Sequence, residues 1–307
     1  MQPSKKTLFE YFSEFAAKRP CDAFIFDEHI SYTAAQAFCV VKSLASQLCG
    51  RGIRAGTGVE VCALRNVKTI LCFYALQFIG ARAVLYDPRE AAVFGGPMLK
   101  DGVLYADGSA AQLDFAVREV TFAPFENSSA ATITIFTSGS TGLPKQVNLS
   151  QYNFINNSLD TWDIGGYFPD DINIDVVPIH HVFGLALIFT AVVTGHAIFV
   201  PRSVQPEYIV DSIIKYGATR LNGVPSLYLA MAECPRAPQI TTLRYGLIAG
   251  APWTAGQFER VERRLGITLI PVYGMSECIA ISCGSYSDSA LVRSTTVGKV
   301  YSMNEVK

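Results

Sequence analysis

The residues best suited to chemistry lie together in one stretch, Thr137-Ser138-Gly139-Ser140-Thr141-Gly142-Leu143-Pro144-Lys145. Two glycines let backbone N–H groups turn inward and approach a ligand closely. Four hydroxyls add donors and Lys145 adds a point charge. A polyphosphate would use all of these. By composition alone an ordinary Ser/Gly-rich turn is the better reading, so residue order has to decide. A Walker loop needs Gly-x4-Gly-Lys-Ser/Thr, but here Pro144 precedes the lysine and Gln146 follows it. A dinucleotide fingerprint needs GxGxxG opening a helix, whereas Gln146 to Leu149 reads as a short strand. Both common phosphate motifs are excluded.

At every diagnostic position the nine residues are similar to the phosphate-loop signature of the adenylate-forming superfamily, which includes acyl-CoA synthetases, firefly luciferase and peptide-synthetase adenylation domains. Three further segments resemble that family in the expected order. Pro178-Ile179-His180-His181-Val182-Phe183-Gly184 resembles the segment beside the acyl pocket. The resemblance implies that His181 lies near the carboxylate and the α-phosphate. Otherwise a His pair after a strand is more often structural, and no further zinc ligands stand at suitable spacing. Ala249-Gly250-Ala251-Pro252 resembles a Gly-Gly-Ala-Pro turn that borders adenine, with Ala249 departing from the first glycine and expected to restrict the turn slightly. Tyr273-Gly274-Met275-Ser276-Glu277 resembles the Tyr-Gly-x-Thr-Glu signature, with Ser276 keeping the hydroxyl. Ser31-Tyr32-Thr33, Val59 to Leu64 and Asp87-Pro88 also recur in the family, so the resemblance runs from residue 5 to about residue 300.

This resemblance implies ATP-dependent activation of a small-molecule carboxylic acid as acyl-AMP, then thioester formation with coenzyme A. Thr137, Ser138, Gly139, Ser140, Thr141, Gly142 and Lys145 are the expected phosphate contacts. Gly250, Ala251, Pro252, Tyr273 and Gly274 would border the adenosine, Ser276 and His181 would flank the α-phosphate, and Glu277 would carry Mg²⁺. His181, Lys145 and Glu277 are the expected catalytic set. Glu277 sits among Met275, Cys278, Ile279 and Ala280, where a carboxylate is expected to need a partner. Val297-Gly298-Lys299-Val300 resembles the family's Gly-Lys segment, beyond which relatives supply a ribose-binding aspartate, a hinge and a small lid domain with a catalytic lysine. None has a counterpart here. The chain is therefore expected to be the large N-terminal domain over 1–307, built as one unit or as two packed α/β subdomains. It should be impaired alone and complemented by a separate lid domain. Two rivals are an adenylation domain loading a carrier-protein thiol and a non-catalytic AMP or acyl-AMP sensor. His180 to Leu187 and Cys278 to Cys283 hold no acid for an amino group, which favours a medium or long acyl chain or an aryl acid.

These residues need a scaffold, and the pattern describes one. Thr33 with Gln36 marks a helix start, followed by Ala37, Val41, Leu44 and Leu48 at helical spacing and a stop at Gly50. Ile70, Phe73, Tyr74 and Phe78 mark a second helix ending at Gly80, before a strand from Ala83 to Tyr86. Further strands are expected over 132–137, 174–177, 197–200, 221–224, 245–249 and 268–272, with helices over 207–216, 226–232 and 255–265. Alternation of this kind predicts an α/β fold of layered, mainly parallel sheets flanked by helices. Residues 88–130 read as a loop-rich edge. A content of 50% hydrophobic and 17% charged residues requires an extensive interior. The net charge of −1 argues against a nucleic-acid partner. The apolar run Val182 to Val193 spans 12 residues, short of the roughly 20 a transmembrane helix needs. No apolar block follows the basic pair near the N-terminus, so no signal peptide is expected. Eight cysteines without a CxxC pair read as reduced thiols of a cytoplasmic protein.

Overall fold

The computed structural model describes residues 2–90, 95–137 and 145–306. Thr7 and Thr33 open α1 (Leu8–Lys18) and α2 (Ala34–Gly50) through complete capping boxes with Glu10 and Gln36, and β1 (Ala23–Phe26) and β2 (Ser31–Thr33) lie between the two helices. β3 (Gly58–Cys62), α3 (Val67–Ile79) and β4 (Arg82–Tyr86) follow, with Asn66 capping α3 and Gly80 ending it in the left-handed region at φ 75°. Next come β5 (Met98–Lys100), β6 (Val103–Ala106) and β7 (Ser109–Gln112), which form an antiparallel meander. The expected loop-rich edge is thus in part a paired edge, closed by Asp101 and Asp107 in turns at φ 48° and 49°.

β8 (Ala131–Thr137) and β9 (Lys145–Ser150) flank the hydroxyl-rich segment, and α4 (Gln151–Gly165) continues from β9 under a Ser150 cap. The rest alternates: β10 (Ile172–Asp175), α5 (Val182–Thr194), β11 (Ala197–Phe199), α6 (Pro206–Tyr216), β12 (Arg220–Asn222), α7 (Pro225–Glu233), β13 (Tyr245–Ile248), α8 (Ala255–Leu265), β14 (Thr268–Met275), β15 (Ile279–Cys283), α9 (Ala290–Thr295) and β16 (Lys299–Val300). The strand expected over 221–224 stops at Asn222, since Pro225 begins α7 and holds Val224 extended at ψ 156° as its cap. The strand expected over 268–272 runs on to Met275, because β15 folds back and pairs with it.

The strands form two sheets. One runs β7-β6-β5-β3-β4-β8-β9 and the other β16-β15-β14-β13-β12-β10-β11-β1-β2. Their centres are parallel, as the alternation predicts, while β2, β6, β7, β9, β15 and β16 add antiparallel edges. Alternation along each strand builds two cores. Ile25 and Ile198 face the core between the sheets, and Phe199 faces the core on the far side of the larger sheet. α5 is apolar all round because it lies between these layers, with Leu185 and Ile188 in one core and Leu187 in the other. The apolar run at 182–193 is therefore an internal helix. Among the described residues no helix is long and apolar enough to cross a membrane, and all eight cysteines are free.

Candidate functional site

A cavity of about 500 Å³ opens where the carboxyl ends of β10, β12, β13 and β14 meet the first turns of α5, the usual ligand position in an open α/β sheet. His181 and Val182 border it from α5, Val224 follows β12, Ala249 and Gly250 follow β13, and Gly274, Met275 and Ser276 come from β14 and its turn. Three segments that sequence reasoning singled out separately thus share one space. Its described lining is apolar apart from Ser276 and His181, which is the one ionisable side chain there.

Close packing points His181 into this space. The backbone turns at Pro178, whose carbonyl accepts the His181 N–H at 3.1 Å, and α5 starts at once. Gly184 lies against that turn, since a Cβ there would stand 2.3 Å from the Pro178 oxygen. Burial lowers the His181 pKa, and the Arg89 charge lowers it further against the pull of Asp87, so the ring is neutral at pH 7. His180 is not among the lining residues; its ring packs on that of His181 with centroids 4.3 Å apart, and its Nε2 lies 3.6 Å from the Asp87 carboxylate. Burial and the neighbouring His181 depress its pKa to about 4. Hydrogen bonds from Arg89 hold Asp87 well below the usual carboxylate range.

The turn at Ala249–Pro252 tolerates Ala249 for a conformational reason. The left-handed residue is Gly250, at φ 90°, and a Cβ on it would approach Val224 Cγ1 to 3.3 Å. The expected restriction at Ala249 therefore does not arise. Ala251 and Pro252 are exposed and stand outside the cavity lining.

β14 and β15 form a hairpin with Ser276, Glu277 and Cys278 in its turn. Gly274 is required here, because a Cβ would meet the Ile279 oxygen at 2.0 Å. Tyr273 is 52% exposed beside the cavity lining rather than within it. Glu277 is exposed and borders a smaller polar depression of about 210 Å³ between the hairpin and α4. Its expected need for a buried partner does not materialise, because the turn lifts it out of the apolar company its sequence neighbours suggest. An exposed carboxylate with no ion pair to a described residue is free to ligate a hard cation. Among the described residues no cluster of three or more His, Cys, Asp or Glu could hold a metal ion. That donor set fits Mg²⁺, which is usually held by one or two carboxylates together with substrate phosphates.

Thr137 and Lys145 are register partners at the ends of β8 and β9, so the two ends of the hydroxyl-rich segment are brought together. Ser138, Gly139, Ser140, Thr141 and Gly142 lie outside the described residues. No cavity described here contains both Lys145 and Glu277.

Sequence reasoning missed a buried acid that lies in the field of an arginine. Asp175 ends β10, fully buried, with one carboxylate oxygen lacking a partner, and burial pushes its pKa up to about 7 against the attraction of Arg65. Arg65 reaches across from the other sheet and donates Nη2 to the Val176 carbonyl at 3.0 Å. Residues so far apart in the chain leave no local signal.

With this geometry in hand, the sequence matches the AMP-binding enzyme family over residues 91–307. The chain belongs to that family. Among curated AMP-binding relatives it is 36% identical over 171 residues to the acyl-CoA ligase sidI of Aspergillus fumigatus, covering 54% of this chain and 29% of the relative. It is 27% identical over 278 residues to 2-succinylbenzoate–CoA ligase of a Geobacillus species, covering 84% of this chain and 56% of the relative. The chain thus spans little more than half the length of such a relative. Among solved structures, ATP-bound MatB from Rhodopseudomonas palustris superposes with a TM-score of 0.81 at 20% identity, over 95% of this chain and 64% of that one. The O-succinylbenzoate coenzyme A synthetase of Bacillus subtilis in complex with AMP gives 0.77 at 20%, over 98% and 81%. The fold is that of the N-terminal part of adenylate-forming enzymes.

Proposed function

We propose that this AMP-binding protein supplies the nucleotide- and acyl-binding part of an AMP-forming acid–thiol ligase, most simply an acyl- or aryl-CoA ligase. The observation that carries the reading is the convergence of His181, Gly250, Gly274 and Ser276 on one cavity, from segments far apart in sequence.

In the first half-reaction a carboxylate oxygen of the substrate attacks the α-phosphorus of ATP. The α–β anhydride bond breaks and pyrophosphate leaves with that electron pair, giving the acyl-AMP mixed anhydride. In the second, the thiolate of coenzyme A attacks the acyl carbon and AMP departs. The segment from Thr137 to Lys145 binds the β- and γ-phosphates, and Lys145 offsets their charge. Gly250, Ala251, Pro252, Tyr273 and Gly274 border the adenosine. Ser276 donates to the α-phosphate. Neutral His181 orients the carboxylate without forming a competing ion pair. Mg²⁺ at Glu277, when bound, neutralises the triphosphate. Catalysis of this kind depends on positioning and charge neutralisation.

Among the described residues, the cavity lining offers no cation for a second carboxylate and no acid for an amino group, which supports an apolar monocarboxylic acid, aliphatic or aryl. Residues 1–307 act as one unit of two packed α/β layers, in the cytoplasm. These 307 residues, assayed without an added lid domain, should turn over more slowly than with one by roughly 10²–10³.

Acid-dependent ATP–pyrophosphate exchange across a panel of carboxylic acids tests this. It should be run on the 307-residue chain with and without an added C-terminal domain from a relative. Slow exchange that rises with the added domain and prefers apolar acids is expected. Exchange that never depends on an acid would refute the reading, and AMP binding without any MgATP binding would favour a sensor.

A further inference from the structure

Two side-chain amides converge on one backbone carbonyl just beyond the turn that carries Ser276 and Glu277. Asn157, in α4, donates Nδ2 to the Ala280 oxygen at 2.7 Å, and Asn304 donates to the same oxygen at 3.0 Å. The residue before Ala280 is strained. Ile279 sits in the left-handed region at φ 62°, which a β-branched side chain enters only where its surroundings over-determine it. Gly274 presses on the same residue from the opposite strand, and the β14–β15 register shifts between Tyr273 and Gly274. The hairpin turn is therefore closed by a strained residue, and the amides clamp the peptide next to it.

The clamp has a second end. α4 follows directly on β9, whose first residue is Lys145, and Asn157 lies on its buried face. One helix thus ties the strand leaving the phosphate segment to the hairpin that presents Glu277.

We infer that Asn157 is a positioning residue for the metal–triphosphate unit, fixing the Ser276–Cys278 turn so that Glu277 meets a cation carried on the phosphates. The inference rests on the ATP-binding reading above. Asn157 borders the same depression as Glu277, and the role inferred for it runs through Ala280 and Ile279.

Calorimetric titration of ATP into the 307-residue chain, with Mg²⁺ and with EDTA, separates this role from simple stabilisation. Asn157→Leu keeps similar bulk and removes the donor. It should leave metal-free ATP affinity unchanged and cut the Mg²⁺-dependent gain by about tenfold, the scale of one lost buried hydrogen bond. Glu277→Gln should cut the same gain, and the double variant should lose no more than Glu277→Gln alone, since residues acting through one another are not additive. A full Mg²⁺ gain in Asn157→Leu, equal loss in both arms, or additive losses would overturn the inference while the ATP site stands. A Glu277→Gln variant with unchanged Mg²⁺ dependence would overturn both. Should Asn157→Leu fail to fold, Asn304→Leu removes the second donor to the same carbonyl and should reduce the Mg²⁺ gain by about threefold. No change there overturns the proposal.

Discussion

Replacing Gly184 with alanine would put a Cβ 2.3 Å from the Pro178 carbonyl oxygen, 2.7 Å from its carbon and 2.8 Å from the Val177 oxygen. All three are backbone atoms, so no flexible side chain can step aside. Carbon–oxygen contacts settle at roughly 3.3 Å or more, so the turn before α5 must retreat by about 1 Å. Overpacking on this scale costs about 1–3 kcal/mol, or a fall of about 3–10 °C in Tm. The retreating turn ends at His181, and a misplacement of about 1 Å in a reacting geometry costs about 10²-fold in rate. Gly256→Ala is the control, since a Cβ on this α8 residue meets nothing within 4 Å and its φ is not positive. That change should stabilise by about 0.5–1 kcal/mol through helix propensity. Thermal unfolding and acid-dependent pyrophosphate exchange, measured on both variants, decide the matter. A Gly184→Ala protein with the Tm of the control and exchange within twofold of the parent would refute the packing argument.

Asp175→Asn should change how stability depends on pH. The native carboxyl keeps its proton up to about pH 7, whereas the unfolded chain releases it near 3.8. The stability this contributes is fully present below the unfolded pKa and is lost as pH rises through about 7. At 1.36 kcal/mol per unit it amounts to about 4 kcal/mol, and denaturant titrations from pH 4 to 8 should show that slope in the parent but not in Asp175→Asn. Lys145→Ala should weaken ATP binding by about tenfold or more and leave AMP binding unchanged, because only the polyphosphate reaches the lysine. Calorimetry with both nucleotides checks this, and equal losses would remove Lys145 from the phosphate site. Gly250→Ala forces a Cβ into the left-handed region and should cost about 1–2 kcal/mol, read as a weaker affinity for AMP.

Local chemistry settled a good deal before any coordinates. The Thr33 capping box, the Gly80 stop and the strand–helix alternation are short-range properties, decided by dihedral preference and by which backbone groups need partners. The signatures around Thr137, His181, Gly250 and Tyr273 are legible for the same reason, each being a run of a few residues whose order is constrained by what it touches. What the chain could not reveal residue by residue is which runs share a space. Only the packing of two sheets around α5 gathered His181, Gly250, Gly274 and Ser276 into one cavity, set His180 beside Asp87 and lifted Glu277 onto an exposed turn. Arg65 with Val176, and Asn157 with Ala280, join residues more than a hundred positions apart. Such contacts are products of layer stacking and hairpin register, and no local periodicity records them.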